Sequence, residues 1–505
     1  MISNKWQSID IRWLAVAVSL LISALLIVFH ATPNDDAWVY IRTAEIYTEQ
    51  GLGAAFDHLP WATYPVLIGI LHQAIGIDLL ASAYLLNAFL FALLVYAFLS
   101  IVKEIDSSSR LMLLATICVL VYPQLNEYRH EVIRDIGFWA FCLLGVWKFM
   151  QFQDSLSLRH GAAFCLTLIA AATFRAEAIV YLALLPLCLL VNSRYDRGRR
   201  IQLGLGYTGA ALITLLLILG IPSLFGINLV AMFTEFFSVY LPFLQDTFFP
   251  DEQRSLEIGR ALFNEHAAYY SSEYLTLFMT FGLIAILIPN IFNAIGGPFL
   301  LTLLAGVIKK HLLLPRPQTT PLLFVVAINL VILAAFLFVT RFLTSRYAMM
   351  LALMLAIFVP FVLNRFLPSG ELSGTSWRVR LVVLLMVYCA VDAYISFGEN
   401  KDYIYEAVDW INANADADTQ LITNNQLIAY GSQRIDAYDQ ITRNLTEEQI
   451  IQAGAGTLFA IENNTEMQRL LAEDHVSGDL ETLLILPDEQ NQELIIFQKT
   501  TNGTR

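Results

Sequence analysis

Apolar stretches recur from Trp13 to Phe397, several of them near the ~20 residues a helix needs to cross a bilayer. The composition agrees: 57% of the 505 residues are hydrophobic and 14% are charged, where a soluble domain carries roughly a quarter charged residues. These features exclude a soluble enzyme, a fibrous protein and a disordered chain. They predict a polytopic α-helical membrane protein.

A short charged lead with Lys5 and Arg12 precedes an apolar run, Trp13 to Ala31. That run is longer than the core of a cleaved leader and ends in Pro33-Asn34-Asp35-Asp36, so it reads as an uncleaved first span. Basic residues orient the rest, because short cytoplasmic loops are enriched in Lys and Arg. Arg194–Arg200, Lys309-Lys310-His311 with Arg316, Lys103/Arg110, Arg159, Arg365 and Arg378/Arg380 are placed inside. Residues 32–62, 126–135, 175–177, 223–274 and 341–346 then lie outside. About eleven spans result, with the N-terminus inside and the C-terminus outside. Two further apolar stretches, Tyr64–Ile77 and Leu275–Pro289, adjoin or contain helix breakers and read as interfacial or re-entrant.

The formal net charge of −13 resides entirely in the tail: residues 398–505 hold 19 acids and 6 bases. Such a tail repels nucleic acid and anionic headgroups, so no nucleic-acid partner is expected. Helical patterns (403–414, 465–473) alternate there with strand-like runs (420–423, 457–461, 482–486, 494–498), which predicts a small α/β domain. The expected division is therefore a membrane domain over 1–397 and an acidic extracytoplasmic α/β domain over 398–505. Cys118, Cys142, Cys165, Cys188 and Cys389 all lie in apolar segments and read as packing residues rather than a disulfide framework.

Two hairpins are too short for two full crossings and an external turn. Only 34 residues separate Arg159 from Arg194, against about 40 for two crossings. The tip Arg175-Ala-Glu177 then sits below the outer surface, and so does the tip 126–135 with Arg134 and Asp135. Charges at that depth are costly unless paired or facing a wet cavity. The functional reading is a polar cavity in the outer leaflet; the plainer one is snorkelling with a structural Arg175–Glu177 pair. A third charged corner, Arg341-Phe-Leu-Thr-Ser-Arg346-Tyr347, either offers guanidinium forks to phosphate or anchors a span end. The first outer loop reads Asn34-Asp35-Asp36-Ala-Trp-Val-Tyr40, continuing to Ala44-Glu45. Either aspartate can cap a helix, or one can act as a general base at the cavity's edge. Asp36 and Tyr40 are spaced to share a helix face. His58, His72 and His266 are candidates to join carboxylates around a divalent metal ion; the competing reading is an exposed interfacial histidine.

An acidic pair just after the first span, followed by Tyr and Ala at this spacing, resembles the GT-C membrane glycosyltransferases. The likeness is greatest to the branch of protein O-mannosyltransferases and bacterial aminoarabinose transferases. Trp61-Ala-Thr-Tyr64-Pro65, Phe174-Arg175-Ala-Glu177 and Ser345-Arg346-Tyr347 follow in the same order. The resemblance implies transfer of a sugar from a polyprenyl-phosphate carrier, with inversion, to an acceptor outside the cytoplasmic membrane: glycolipid, polysaccharide or protein. Asp35 or Asp36 would be the base. Some members have Lys-Pro-Pro where this chain has Thr63-Tyr64-Pro65, so donor-phosphate contacts fall to Arg346, Arg175, Tyr347 and Tyr64, or to a metal. Tyr40, Glu45, Arg134, Asp135, Glu177 and Arg341 would line or orient the cavity. The host membrane would be the bacterial inner membrane, with the tail in the periplasm. Competing classes are a flippase or transporter, although no internal repeat of the transporter kind is present, and an oligosaccharide ligase or polymerase.

Overall fold

The computed structural model describes residues 10–29, 32–192, 194–220, 229–312, 314, 316–368, 376–395, 401–416 and 418–500. The charged lead at Lys5, residues 223–228 of the large outer loop and the expected boundary at 397/398 lie outside these. The chain divides into two compact units. One comprises Met1–Leu25, Asn87–Arg129 and Arg134–Ser396; the other comprises Leu26–Leu86, His130–Ile133 and Phe397–Arg505. The first loop is grouped in the same unit as the tail.

The first unit is helical. Among the described residues five helices are long and apolar enough to cross a membrane, and a sixth arises if Ser109–Leu120 and Pro123–His130, bent by 53°, form one broken span. Several further apolar helices are shorter. Helix length and composition thus account for five or six of the eleven expected crossings, enough for a multipass membrane protein. One expectation is corrected: Leu275–Ile295 is a continuous 21-residue helix with Pro289 inside it, part of a span-length apolar segment. Proline is tolerated in such helices because neighbouring groups satisfy the freed carbonyl. Thr63–Ile75, in contrast, has 13 residues, short of a crossing.

Helical periodicity also explains a charge inside this unit. Ser19 and Ser23 lie one turn apart on the first span and so share a face. Both hydroxyls accept from the Arg129 guanidinium, at 3.0 and 2.9 Å, and Asn126 accepts from its Nε. Arg129 also lies over the Phe91 ring at 4.5 Å. The helix Asp135–Ser155 packs along Leu158–Phe174. Gly137 and Gly145 let the backbones approach, for a Cβ at either would collide with Phe174 or Leu168. Arg316–Thr340 and Ser345–Ala356 close over the same helix. All five cysteines are free, and four are buried.

The second unit contains a four-stranded sheet of order β1-β2-β4-β3, with β1 (Leu421–Thr423) parallel to β2 (Leu458–Glu462) and the pairs β2/β4 and β3/β4 antiparallel. The strands β3 (Leu480–Pro487) and β4 (Gln492–Lys499) form a hairpin. Both faces are covered, which is why β2 is an unbroken apolar run rather than an alternating one. One face packs on Leu445, Ile450, Met467 and Val476. The other packs on Tyr403, Ala407 and Ile411 and also on Trp38 of the first loop. Trp38 is 2% exposed, its ring 5.1 Å from Tyr430 and 6.2 Å from Tyr438. Together these contacts seat the helix Asp36–Gln50 against the tail.

Candidate functional site

In the first unit, the helix Leu158–Phe174 ends at Arg175, whose backbone is extended, and the chain turns through Glu177 into Ala178–Leu184. This corner aims Arg175 back at the start of Asp135–Ser155. Nη1 donates to Asp135 Oδ1 at 2.5 Å, while Nε and Nη2 donate to Glu177 Oε1 at 3.1 and 2.5 Å. Arg346 arrives from the first turn of Ser345–Ala356, with Nε 3.7 Å from Asp135 Oδ2. The Tyr347 ring lies beneath both guanidiniums, 4.5 Å from Arg175 and 5.7 Å from Arg346. Arg134, at the helix N-terminus, adds its charge to Asp135 and Glu177. Arg175 and Arg346 thus meet Asp135 and Glu177, two positive charges against two negative.

Asp135, Arg175, Glu177, Arg346 and Tyr347 line a cleft that continues inward to Tyr181 and Asn329, whose side chains are joined by a 2.6 Å hydrogen bond from the phenol. The two arginines differ in availability. Arg175 is engaged by two carboxylates and its side chain is 8% exposed; that of Arg346 is 24% exposed. The structure thus holds both a lined cleft and an Arg175–Glu177 ion pair. Arg341 does not join the group. It closes its helix in the left-handed conformation, φ 55°, and donates to Phe243 O and Thr247 Oγ1 at 2.8 and 3.0 Å.

In the second unit, Asp35 occupies the N-cap of Asp36–Gln50, yet its side chain accepts no capping hydrogen bond. It is exposed and faces a cleft. Asp36 follows in the first turn. Tyr40 is buried and meets Tyr64 edge-on, with ring centroids 5.2 Å apart. Tyr64 is fully buried. Its ring is packed against Tyr40 in the core of this unit. Glu45 pairs with Arg42 on its own helix at 3.0 Å. Burial and the Glu45 carboxylate hold the neighbouring Tyr438 phenol well above its ordinary pKa. His58 bridges Thr43 Oγ1 (2.9 Å) and Asp439 Oδ2 (3.2 Å).

No protein-family model matches this sequence, nor does any curated protein. Solved structures do match. The Archaeoglobus fulgidus oligosaccharyltransferase tethered to an acceptor peptide containing the NVT sequon superposes with a TM-score of 0.51 at 13% identity, covering 94% of this chain and 69% of that one. AglB of the same archaeon, in complex with an inhibitory peptide and a dolichol-phosphate, gives 0.50 at 12% identity over 89% and 69%. The fold is GT-C. At such identity the likeness extends to the fold alone, and the O-mannosyltransferase branch has no separate support.

Among the described residues no three His, Cys, Asp or Glu side chains gather. His72 bonds the Ile77 carbonyl at 2.6 Å, and His266 is exposed, its amide held by Asn264. Sequence reasoning missed Arg129, Tyr181 and Asn329. The signal for Arg129 was the Ser19/Ser23 pair, and for Asn329 a lone amide in an apolar span. It also missed the cleft residues Lys401 and Arg443, for which a tail so poor in bases was the available clue.

Proposed function

We propose that this chain is a membrane glycosyltransferase that moves a sugar from a polyprenyl-phosphate carrier to an acceptor outside the cytoplasmic membrane, with inversion. The observation that carries the reading is the cleft at Arg346. The Arg346 guanidinium, more exposed than that of Arg175 and 3.7 Å from Asp135, lies among apolar helices, where a lipid-borne phosphate would need it. Arg346, backed by Arg175 over Tyr347, would hold the donor phosphate and stabilise it as the anomeric C–O bond breaks. An aspartate of the first loop, Asp35 in preference to Asp36, would take the acceptor hydroxyl's proton as its oxygen attacks the anomeric carbon.

A second reading is favoured by the named neighbours: transfer of a whole oligosaccharide from its lipid carrier. Mass spectrometry of surface glycans in a deletion strain decides between the two. Loss of a single sugar supports the proposal, loss of entire chains supports block transfer or a flippase, and an unchanged profile overturns both.

A further inference from the structure

A second cleft, about 300 Å³ in volume, lies wholly within the unit that joins the first loop to the tail. The loop supplies Asp35 and Trp38; the tail supplies Lys401, Asn424, Arg443 and Glu462. Its size falls at the lower end of small-molecule sites.

The floor of this cleft is fixed. Asn424, 5% exposed, donates to the carbonyls of Arg443 (3.0 Å) and Glu462 (2.9 Å) and accepts from the Glu462 amide at 2.7 Å. Asn464 donates to the Arg443 carbonyl as well, at 3.1 Å. Two amides therefore pin the backbone of Arg443, while its side chain is exposed and makes no hydrogen bond or ion pair among the described residues.

The charges around the floor sort themselves. Lys401 is paired with Glu462 at 3.0 Å, and Glu462 also accepts from Asn425 at 3.0 Å. Their charges cancel, which leaves Arg443 and Asp35 as the cleft's working charges. Bases are scarce here, six in residues 398–505, and two of the six line this one cleft. Of the others, Lys499 is buried against the Ile450 carbonyl, Arg434 holds carbonyls at 415 and 419, and Arg469 is exposed in the last turn of Thr465–Leu471, away from this cleft. An exposed guanidinium on a pinned backbone, kept in a strongly acidic domain, is suited to an incoming oxyanion.

We infer that this cleft is the acceptor subsite and that the acceptor is an anionic glycan, carrying a carboxylate or phosphate on the sugar that is held. Arg443 takes the oxyanion, the amide-lined floor and Trp38 receive the ring, and Asp35 faces the hydroxyl to be glycosylated. The inference rests on the transferase reading for the role of Asp35, but the anion site stands on its own geometry.

The test is equilibrium binding to the full chain in nanodiscs, with trigalacturonate, a phosphorylated mannotriose, maltotriose and an acidic hexapeptide as probes, beside undecaprenyl phosphate for the donor side. The expected result is that one or both anionic trisaccharides bind at least about tenfold more tightly than maltotriose. Their binding should fall by about tenfold or more in Arg443→Ala and be partly restored in Arg443→Lys, with undecaprenyl phosphate binding unchanged. Which trisaccharide binds identifies the oxyanion. Equal binding of maltotriose, preference for the peptide, no binding of any trisaccharide, or indifference to Arg443→Ala overturns the inference. Failure of wild type to bind undecaprenyl phosphate would instead count against the transferase reading alone.

Discussion

Arg175 and Arg346 share a cleft but should respond to substitution in opposite ways. Arg175 has two carboxylate partners and little exposure, so removing a partner leaves a buried charge uncompensated. Asp135→Asn should destabilise the protein by about 3–5 kcal/mol, read as a lowered unfolding midpoint in detergent. Arg346→Lys keeps the charge but loses the planar fork. It should leave the midpoint within about 0.5 kcal/mol of wild type and reduce turnover of the lipid-linked donor by roughly tenfold or more. Turnover equal to wild type would remove Arg346 from the donor site. At Asp35 the structure sharpens the test, because no capping bond exists to lose. Asp35→Asn should therefore fold normally while activity drops by about two orders of magnitude; full activity in both Asp35→Asn and Asp36→Asn would leave the first-loop base without support.

Among the helices, two glycines give a matched comparison. Replacing a helical glycine by alanine gains about 1 kcal/mol in propensity, and at Gly282, with open space around it, that gain should appear. At Gly137 the new methyl meets the Phe174 ring, and overpacking costs about 1–3 kcal/mol, so the net effect should be destabilising. Because Phe174 precedes Arg175, Gly137→Ala should also lower activity, which Gly282→Ala should not. Local pattern made the tail's elements legible: the four strand-like runs and both helical patterns fall on observed elements, since each depends on its own periodicity. The surroundings of Tyr64 and Arg341 were illegible for the opposite reason. Nothing local distinguishes a tyrosine that packs on Tyr40 from one that faces a ligand, or an arginine that closes a helix from one that meets phosphate.

For the whole molecule, basic clusters expected inside and an odd expected span count predict that residues 398–505 lie outside. Alkaline phosphatase fused after Glu399 should be active and a cytoplasmic reporter at that site inactive; the reverse pattern would invert the proposed orientation. Membrane character was plain from composition, whereas the number of crossings was not, since short apolar helices and a bent pair satisfy the same hydropathy without each spanning. The alliance of the first loop with the tail was illegible, because it depends on contacts between segments hundreds of residues apart.

That alliance sets a schedule for biogenesis. Trp38 is synthesised early, but the aromatic partners that cover it, Tyr430 and Tyr438, emerge nearly four hundred residues later. At about 5–20 residues per second, the loop waits roughly twenty seconds to over a minute with its indole uncovered. A nascent chain arrested before residue 401 should therefore be nicked by protease between residues 32 and 62, and the completed chain should resist. During that interval the cell must shelter a hydrophobic surface whose partner has not yet been made.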